Sequence, residues 1–273
     1  MADLATMNDA EFELYRTLIY NECGIHFTPT NRSILEGRLR ERLRQNNVPG
    51  AKAYYDTISK NKEELKLFLD AITTNLTRFF RNQPHFDALE HFVLPEILNL
   101  KKTSGDTTVR IWSAGCSSGE EPYTIAMLLT EKLPPNYKFE IVASDLSLKM
   151  LMTAKEGFYD AMHIVGVPDP YLKKYFDAVP NGYKVKDTLK SKIRFDYHNL
   201  KNASPWKNFD IVFCRNVLIY FDEATQTGVV NHFWDSMAAK GFLYIGHSES
   251  LFGMDTKFEF VKTQWTTLYK KWT

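Results

Sequence analysis

At 273 residues the chain exceeds one ordinary domain of about 100–200 residues, so one large domain with a smaller companion is expected. Hydrophobic residues at 44% and charged residues at 25% match ordinary globular proteins and exclude a disordered or low-complexity chain. The formal net charge of +1 removes the global positive field on which nucleic-acid binding draws, so a charged partner must be met by a local patch.

Residues 1–9 lack both a basic start and an apolar stretch, so no secretory leader is expected. The longest apolar runs, 211–213 and 217–221, are split by Cys214, Arg215 and Asn216, far short of the roughly 20 residues that cross a bilayer. A cytoplasmic protein without membrane insertion is expected. Residues 8–75 read as helices. Phe12, Leu14, Leu18 and Ile19, then Ile34, Leu35, Leu39 and Leu43, then Leu65, Phe68, Leu69 and Ile72 recur at helical spacing, punctuated by Gly24, Pro29 and Pro49-Gly50.

From Val109 short β-type runs alternate with helical segments: 109–114 then 120–133, 139–143 then 147–156, 209–213 then 222–239, and a strand at 242–246. A final antiparallel pair is expected near 258–261 and 267–271. Strands separated by helices imply βαβ units and a parallel sheet covered on both faces, an α/β doubly wound fold. Residues 159–193, broken by Pro168, Pro170, Pro180 and Asn181-Gly182, read as a short β-insertion with a hairpin near 183–185. The division is a helical domain over 1–76 and an α/β domain over 77–273. Cys23, Cys116 and Cys214 are odd in number and far apart, which argues against a disulfide framework and against zinc.

In an open α/β sheet ligands bind beyond the carboxyl ends of the strands. The first strand runs into Ser113-Ala114-Gly115-Cys116-Ser117-Ser118-Gly119-Glu120-Glu121-Pro122. This small-residue loop is neither a dinucleotide fingerprint nor a phosphate loop. Glu120 and Glu121 at the helix start would repel a pyrophosphate, so a cationic ligand suits the loop better. An ordinary strand-to-helix turn accounts for it equally. The second strand ends at Asp145, placed to bind ribose hydroxyls or to cap the next helix; Ser147 is the better cap, which leaves Asp145 for a ligand. After the third come Asn199 and Leu200, and after the fourth Asn216 and Tyr220, patterns that packing alone also produces.

Together with Asn75-Leu76-Thr77-Arg78-Phe79-Phe80-Arg81, the stretches SAGCSSGEEPYTIA, ASD, FCRNVLIYF and GHSES occur in an order that resembles the CheR-type chemoreceptor glutamate methyltransferases. The resemblance runs from the helical domain to the carboxyl end. It implies a Rossmann-like S-adenosylmethionine-dependent methyltransferase sheet behind a small all-helical domain. It also implies that Asn75, Thr77, Arg81, Gly115, Glu121, Asp145, Asn199, Leu200, Asn216 and Val217 line the S-adenosylmethionine site, with Arg81 and Tyr220 nearest the transferred methyl. The product would be S-adenosylhomocysteine and a glutamate methyl ester on methyl-accepting receptor helices.

The chemistry is consistent with these residues. A glutamate carboxylate has an ordinary pKa of about 4.3 and is already a nucleophile at neutral pH, so no catalytic His or Cys is required. Carboxylate and sulfonium neutralise one another in the transition state, so a tight ion-pair clamp on the carboxylate would favour the ground state. Arg81 is therefore expected to orient groups, with rate coming from alignment and exclusion of water. No metal is expected, and His247 is read as a structural histidine. Arg32, Arg38, Arg40, Arg42 and Arg44 flank one helix, a pattern that a solvated face explains. The resemblance implies that such a basic helix meets acidic receptor helices, through Arg38 and Arg42 one turn apart. The short segment 177–192 lacks a glycine run, so strong capture of a receptor tethering peptide is not expected. A monomer is expected. The rival readings are a methyltransferase for RNA or small molecules, and a non-catalytic S-adenosylmethionine-binding signalling module, which would not need Arg81 and Tyr220.

Overall fold

A computed structural model describes Thr6–Thr273. Met1–Ala5, part of the stretch read for a leader, lie outside the described residues. The chain forms two compact units, one of the described residues up to Thr74 with Tyr220–Thr225, the other of Asn75–Ile219 with Gln226–Thr273.

The first unit is built on α1 (Asp9–Cys23), α2 (Arg32–Asn46), α3 (Ala51–Ile58) and α4 (Lys62–Ile72). Asn8 and Glu11 start α1 with a reciprocal pair of side-chain-to-backbone bonds, both 2.9 Å, that satisfy two donors the helix cannot. Gly24, at φ 77°, ends it in a conformation other residues resist. Leu35, Leu39 and Leu43 of α2 form the buried stripe their spacing announces. The sequence pattern yields three helices here, and α3 was not among them, because its buried stripe is only Ala51, Tyr54 and Ile58. The core is partly aromatic: Tyr15 and Tyr54 pack on Phe68 with centroids 5.5 and 5.8 Å away. The Tyr15 hydroxyl donates to the Ala51 carbonyl at 2.7 Å. Segment 220–225 joins this unit through a bridge between Ile25 and Phe221 and a 2.8 Å bond from the His26 N–H to the Tyr220 carbonyl.

The second unit opens with α5 (Gln83–Ala88), a π-helical turn at Leu89–Val93 and α6 (Leu94–Ser104), a stretch with no sequence assignment. Then follow β1 (Thr108–Ala114), α7 (Glu120–Lys132), β2 (Lys138–Asp145), α8 (Leu148–Glu156), β3 (Phe158–Tyr159), α9 (Asp169–Tyr175), β4 (Phe176–Val179), β5 (Gly182–Val185), α10 (Asp187–Lys190), β6 (Ile193–Tyr197), β7 (Phe209–Cys214), α11 (Glu223–Ser236), β8 (Met237–Ile245), β9 (Glu259–Lys262) and β10 (Thr267–Lys270).

Seven strands make one sheet in the order β6-β2-β1-β7-β8-β10-β9, parallel except that β10 runs antiparallel to both β8 and β9. The fold is the expected α/β doubly wound sheet. All six residues of β7 are buried, as a strand covered on both faces requires. Trp112 of β1 fixes one layer: its indole N–H donates to the Ser144 hydroxyl at 2.9 Å, and its ring meets Phe209 and Phe233. Strands β3, β5 and β4 form a separate antiparallel sheet, the short β-insertion, whose β4–β5 turn carries Asn181 at φ 66°. Among the described residues no helix is long and apolar enough to cross a membrane.

The register places the site. Ala114 lies opposite Ser144, Asp145 opposite Tyr197 and Cys214 opposite Ile245, so the carboxyl ends of β6, β2, β1, β7 and β8 come to one edge. The chain leaves β1 for β2 on one side and returns to β7 on the other, so β1 stands at the topological switch point where such sheets bind ligands.

Candidate cofactor site

The loop after β1 is wound so that its backbone works inward. Gly115, Ser117 and Gly119 have φ of 79°, 49° and 97°, and the N–H groups of Gly115 and Cys116 both donate to the Ser144 carbonyl, at 2.8 and 3.0 Å. A Cβ at Gly115 would stand 2.5 Å from a methyl of Val217. Only glycine therefore lets the loops after β1 and β7 meet.

Asp145 ends β2 as expected, and Ser147 caps α8 by accepting from the Met150 N–H at 3.1 Å. The carboxylate is not simply left to a ligand, however. One oxygen accepts from the Ser117 N–H at 2.7 Å and the other from the Ser147 N–H at 2.8 Å, so Asp145 also holds the β1 loop. A carboxylate offers about four acceptor directions, so it can hold the loop and still take a ligand hydroxyl.

Glu121 accepts from the Ser113 hydroxyl at 2.7 Å through one oxygen and lies 3.1 Å from the Arg215 guanidinium through the other. The Arg215 side chain is 2% exposed; burial pushes its pKa down, against which the charge of Glu121 acts. Its other terminal nitrogen donates to the Arg81 carbonyl. Glu121, expected as a countercharge for a cationic ligand, already shares its charge with Arg215. Glu120 is fully buried, accepts from the Ser118 hydroxyl, and has its pKa raised by burial.

The segment from Asn75 to Arg81 is tied to the same edge. The Asn75 carbonyl accepts from the Ser117 hydroxyl at 3.1 Å, Thr77 is half-buried, and the Arg81 guanidinium donates to the Leu76 carbonyl at 2.9 Å. Arg81 stands between Phe80 at φ 52° and Asn82 at φ 61°. An aromatic residue in the left-handed region costs about 1–3 kcal/mol and persists only where its surroundings hold it. Here the Thr124 hydroxyl accepts from its N–H at 3.2 Å, and its ring packs on Phe86 and Tyr171.

After β6, Asn199 is half-buried and Leu200 buried. After β7, Asn216 adopts φ 59° and its side-chain oxygen is buried with no hydrogen-bond partner. An orphaned acceptor at the switch point is what a ligand donor would satisfy, so these residues fit an adenosine-bearing cofactor. The Nε2 of His198 is likewise unpaired, and burial among Trp112 and Trp206 lowers the pKa of the ring. His247, read as a structural histidine, is exposed, with its Nδ1 3.5 Å from the Asn82 side-chain nitrogen. All three cysteines are buried and free. No group of three metal-ligating side chains occurs among the described residues.

The remaining expected site residues belong to the helical unit. Tyr220 is half-buried and heads the segment 220–225. Arg38 is exposed and makes no ion pair among the described residues. Arg42 is different, because its guanidinium grips both oxygens of Glu64 at 2.6 and 2.7 Å, with the two side chains 12% and 9% exposed. Tyr54 and Asn46 donate to the same carboxylate. Arg42 is thus committed to the core of its own unit, and the expected pairing of Arg38 with Arg42 on one docking surface is not what the structure presents.

The fold and this site define a Rossmann-like S-adenosylmethionine-dependent methyltransferase. Two family descriptions match the chain, "CheR methyltransferase, all-alpha domain" over residues 10–73 and "CheR methyltransferase, SAM binding domain" over residues 75–267. A chemotaxis protein methyltransferase of Borreliella burgdorferi is 38% identical over 258 residues, covering 90% of this chain and 91% of that protein. Chemotaxis protein methyltransferase 2 of Vibrio cholerae is 32% identical, covering 97% and 94%. Chemotaxis protein methyltransferase 1 of Pseudomonas aeruginosa is 33% identical, covering 96% and 98%. The chain belongs to the CheR methyltransferase family, and its cofactor is S-adenosylmethionine.

Proposed function

We propose that the protein methylates glutamate side chains on the cytoplasmic helices of methyl-accepting chemotaxis receptors, acting as a monomer in the cytoplasm. In this reading residues 1–76 recognise the receptor and residues 77–273 carry the transfer. S-adenosylmethionine supplies an electrophilic methyl group on a sulfonium. Asp145 accepts hydrogen bonds from the cofactor's ribose and the Asn216 side-chain oxygen takes a cofactor donor. Asn75, Thr77, Gly115, Glu121, Asn199, Leu200 and Val217 complete the walls. Arg81 orients the reacting groups and Tyr220 excludes water.

The observation that carries the reading is the convergence of Asp145, the Gly115 loop and the orphaned Asn216 oxygen on adjacent strand ends. A receptor glutamate is ionised at neutral pH, so the reaction asks the protein for alignment and not for proton removal. The names of the relatives, chemotaxis protein methyltransferases, support chemoreceptors as the acceptors. The test is transfer of radiolabelled methyl from S-adenosylmethionine to receptor-containing membranes. Label released by base is expected, falling on the order of 100-fold in Arg81→Ala while S-adenosylhomocysteine still binds. Tight cofactor binding with no transfer to any receptor preparation would favour the signalling module.

A further inference from the structure

The loop after β8 carries a carboxylate for which the cofactor reading has no use. Glu249 accepts three backbone N–H groups: Gly246 at 2.5 Å and Asn216 at 2.9 Å through one oxygen, and Ile219 at 3.2 Å through the other. These donors lie on both sides of a seam, since Gly246 follows β8 and Asn216 and Ile219 follow β7. A Cβ on Gly246 would stand 2.6 Å from the Glu249 carboxylate and 2.9 Å from both the backbone and side-chain nitrogens of Asn216. The three residues therefore form a lock with no room for another side chain.

We propose that Glu249 is a positioning residue of the methyltransferase site, setting the turn that presents Asn216 and Val217 to the cofactor. The turn needs setting. Asn216 is held at φ 59°, a region that asparagine tolerates but does not hold unaided. The same turn keeps its side-chain oxygen pointed where no protein donor reaches it and presses Val217 onto Gly115. Releasing the carboxylate frees Asn216 to turn away and opens the contact that joins the loops after β1 and β7. The proposal rests on the cofactor reading of this site.

Glu249→Gln separates geometry from bulk. A carboxamide keeps the shape but has one acceptor oxygen, so its amide nitrogen must face one of the three N–H donors. The expected result is a rise of about tenfold in the dissociation constant for S-adenosylhomocysteine and in KM for S-adenosylmethionine, equal to ~1.4 kcal/mol. At saturating cofactor kcat should fall less than about threefold, and KM for the receptor should not move. Glu249→Ala should show a larger cofactor defect, and Glu249→Asp, which retains charge but is shorter, an intermediate one. A carboxylate that served stability alone would lower the melting temperature and leave the affinity of the folded protein unchanged, so Glu249→Gln with wild-type affinity and KM overturns the proposal. Wild-type protein that fails to bind S-adenosylhomocysteine overturns the site reading itself, and this inference with it.

Discussion

Replacing Asp145 with alanine tests whether this carboxylate is only a ligand group or also the keystone of its loop. The substitution strips the acceptors from the Ser117 and Ser147 N–H groups, now 2.7 and 2.8 Å from the two oxygens. Both donors are buried, and each left unpaired costs about 1–3 kcal/mol, hence ~4 kcal/mol for the pair. In a unit of this size 1 kcal/mol lowers the melting temperature by roughly 2–4 °C, so a fall of about 8–16 °C is expected. Asp145→Asn keeps one acceptor oxygen and should lose about half as much. Calorimetric melting of wild type and both variants reads this directly, and titration with S-adenosylhomocysteine reads the ligand role. Asp145→Asn, folded but with affinity reduced at least about tenfold, would show both roles. If Asp145→Ala melts within about 2 °C of wild type, the two backbone bonds are not holding the loop and the reasoning fails.

Within the helical unit, Arg42→Ala should destabilise by roughly 3–5 kcal/mol because it strands the buried Glu64 carboxylate. Arg38→Glu should leave denaturant unfolding unchanged while raising KM for receptor helices about tenfold; equal effects of the two changes on stability would contradict this division. His85 is buried, and its pKa is pushed down to about 3 by that burial, with Arg215 and His247 acting in the same direction. The unfolded chain therefore protonates this ring first, near its ordinary 6.5, and stability present above that pH erodes as pH falls, by ~2 kcal/mol between pH 7 and 5. His85→Phe should flatten that part of the curve, and urea midpoints with identical pH slopes in both proteins would refute the assignment. The β4–β5 turn is too short for a glycine-rich capture loop, so calorimetry with receptor carboxyl-terminal peptides should detect no micromolar binding, a result a micromolar constant would reverse.

The relation between the chain and its fold is uneven for reasons that particular residues make plain. The Leu35, Leu39 and Leu43 stripe and the strand 209–214, apolar but for Asp210, are local patterns, and a local pattern survives without knowledge of what covers it. The loops after the first, second and fourth strands were legible because glycine and small polar residues break the alternation at strand ends. Helix α3 was missed because its stripe is short, and α5 and α6, joined through a π-helical turn, depart from simple helical spacing.

What sequence alone determined is the alternation of strand and helix, the helical segment ahead of it, and the motif-bearing loops after the strands. Tertiary structure decided which charges are spoken for. Arg42 meets a carboxylate 22 residues away, Asp145 an N–H group 28 away, Glu249 one 33 away and Arg215 a carboxylate 94 away. No periodicity encodes such pairings. A charged side chain looks the same in sequence whether it faces water or a buried partner, and only the packed chain supplies the partner whose attraction offsets the cost of removing it from water.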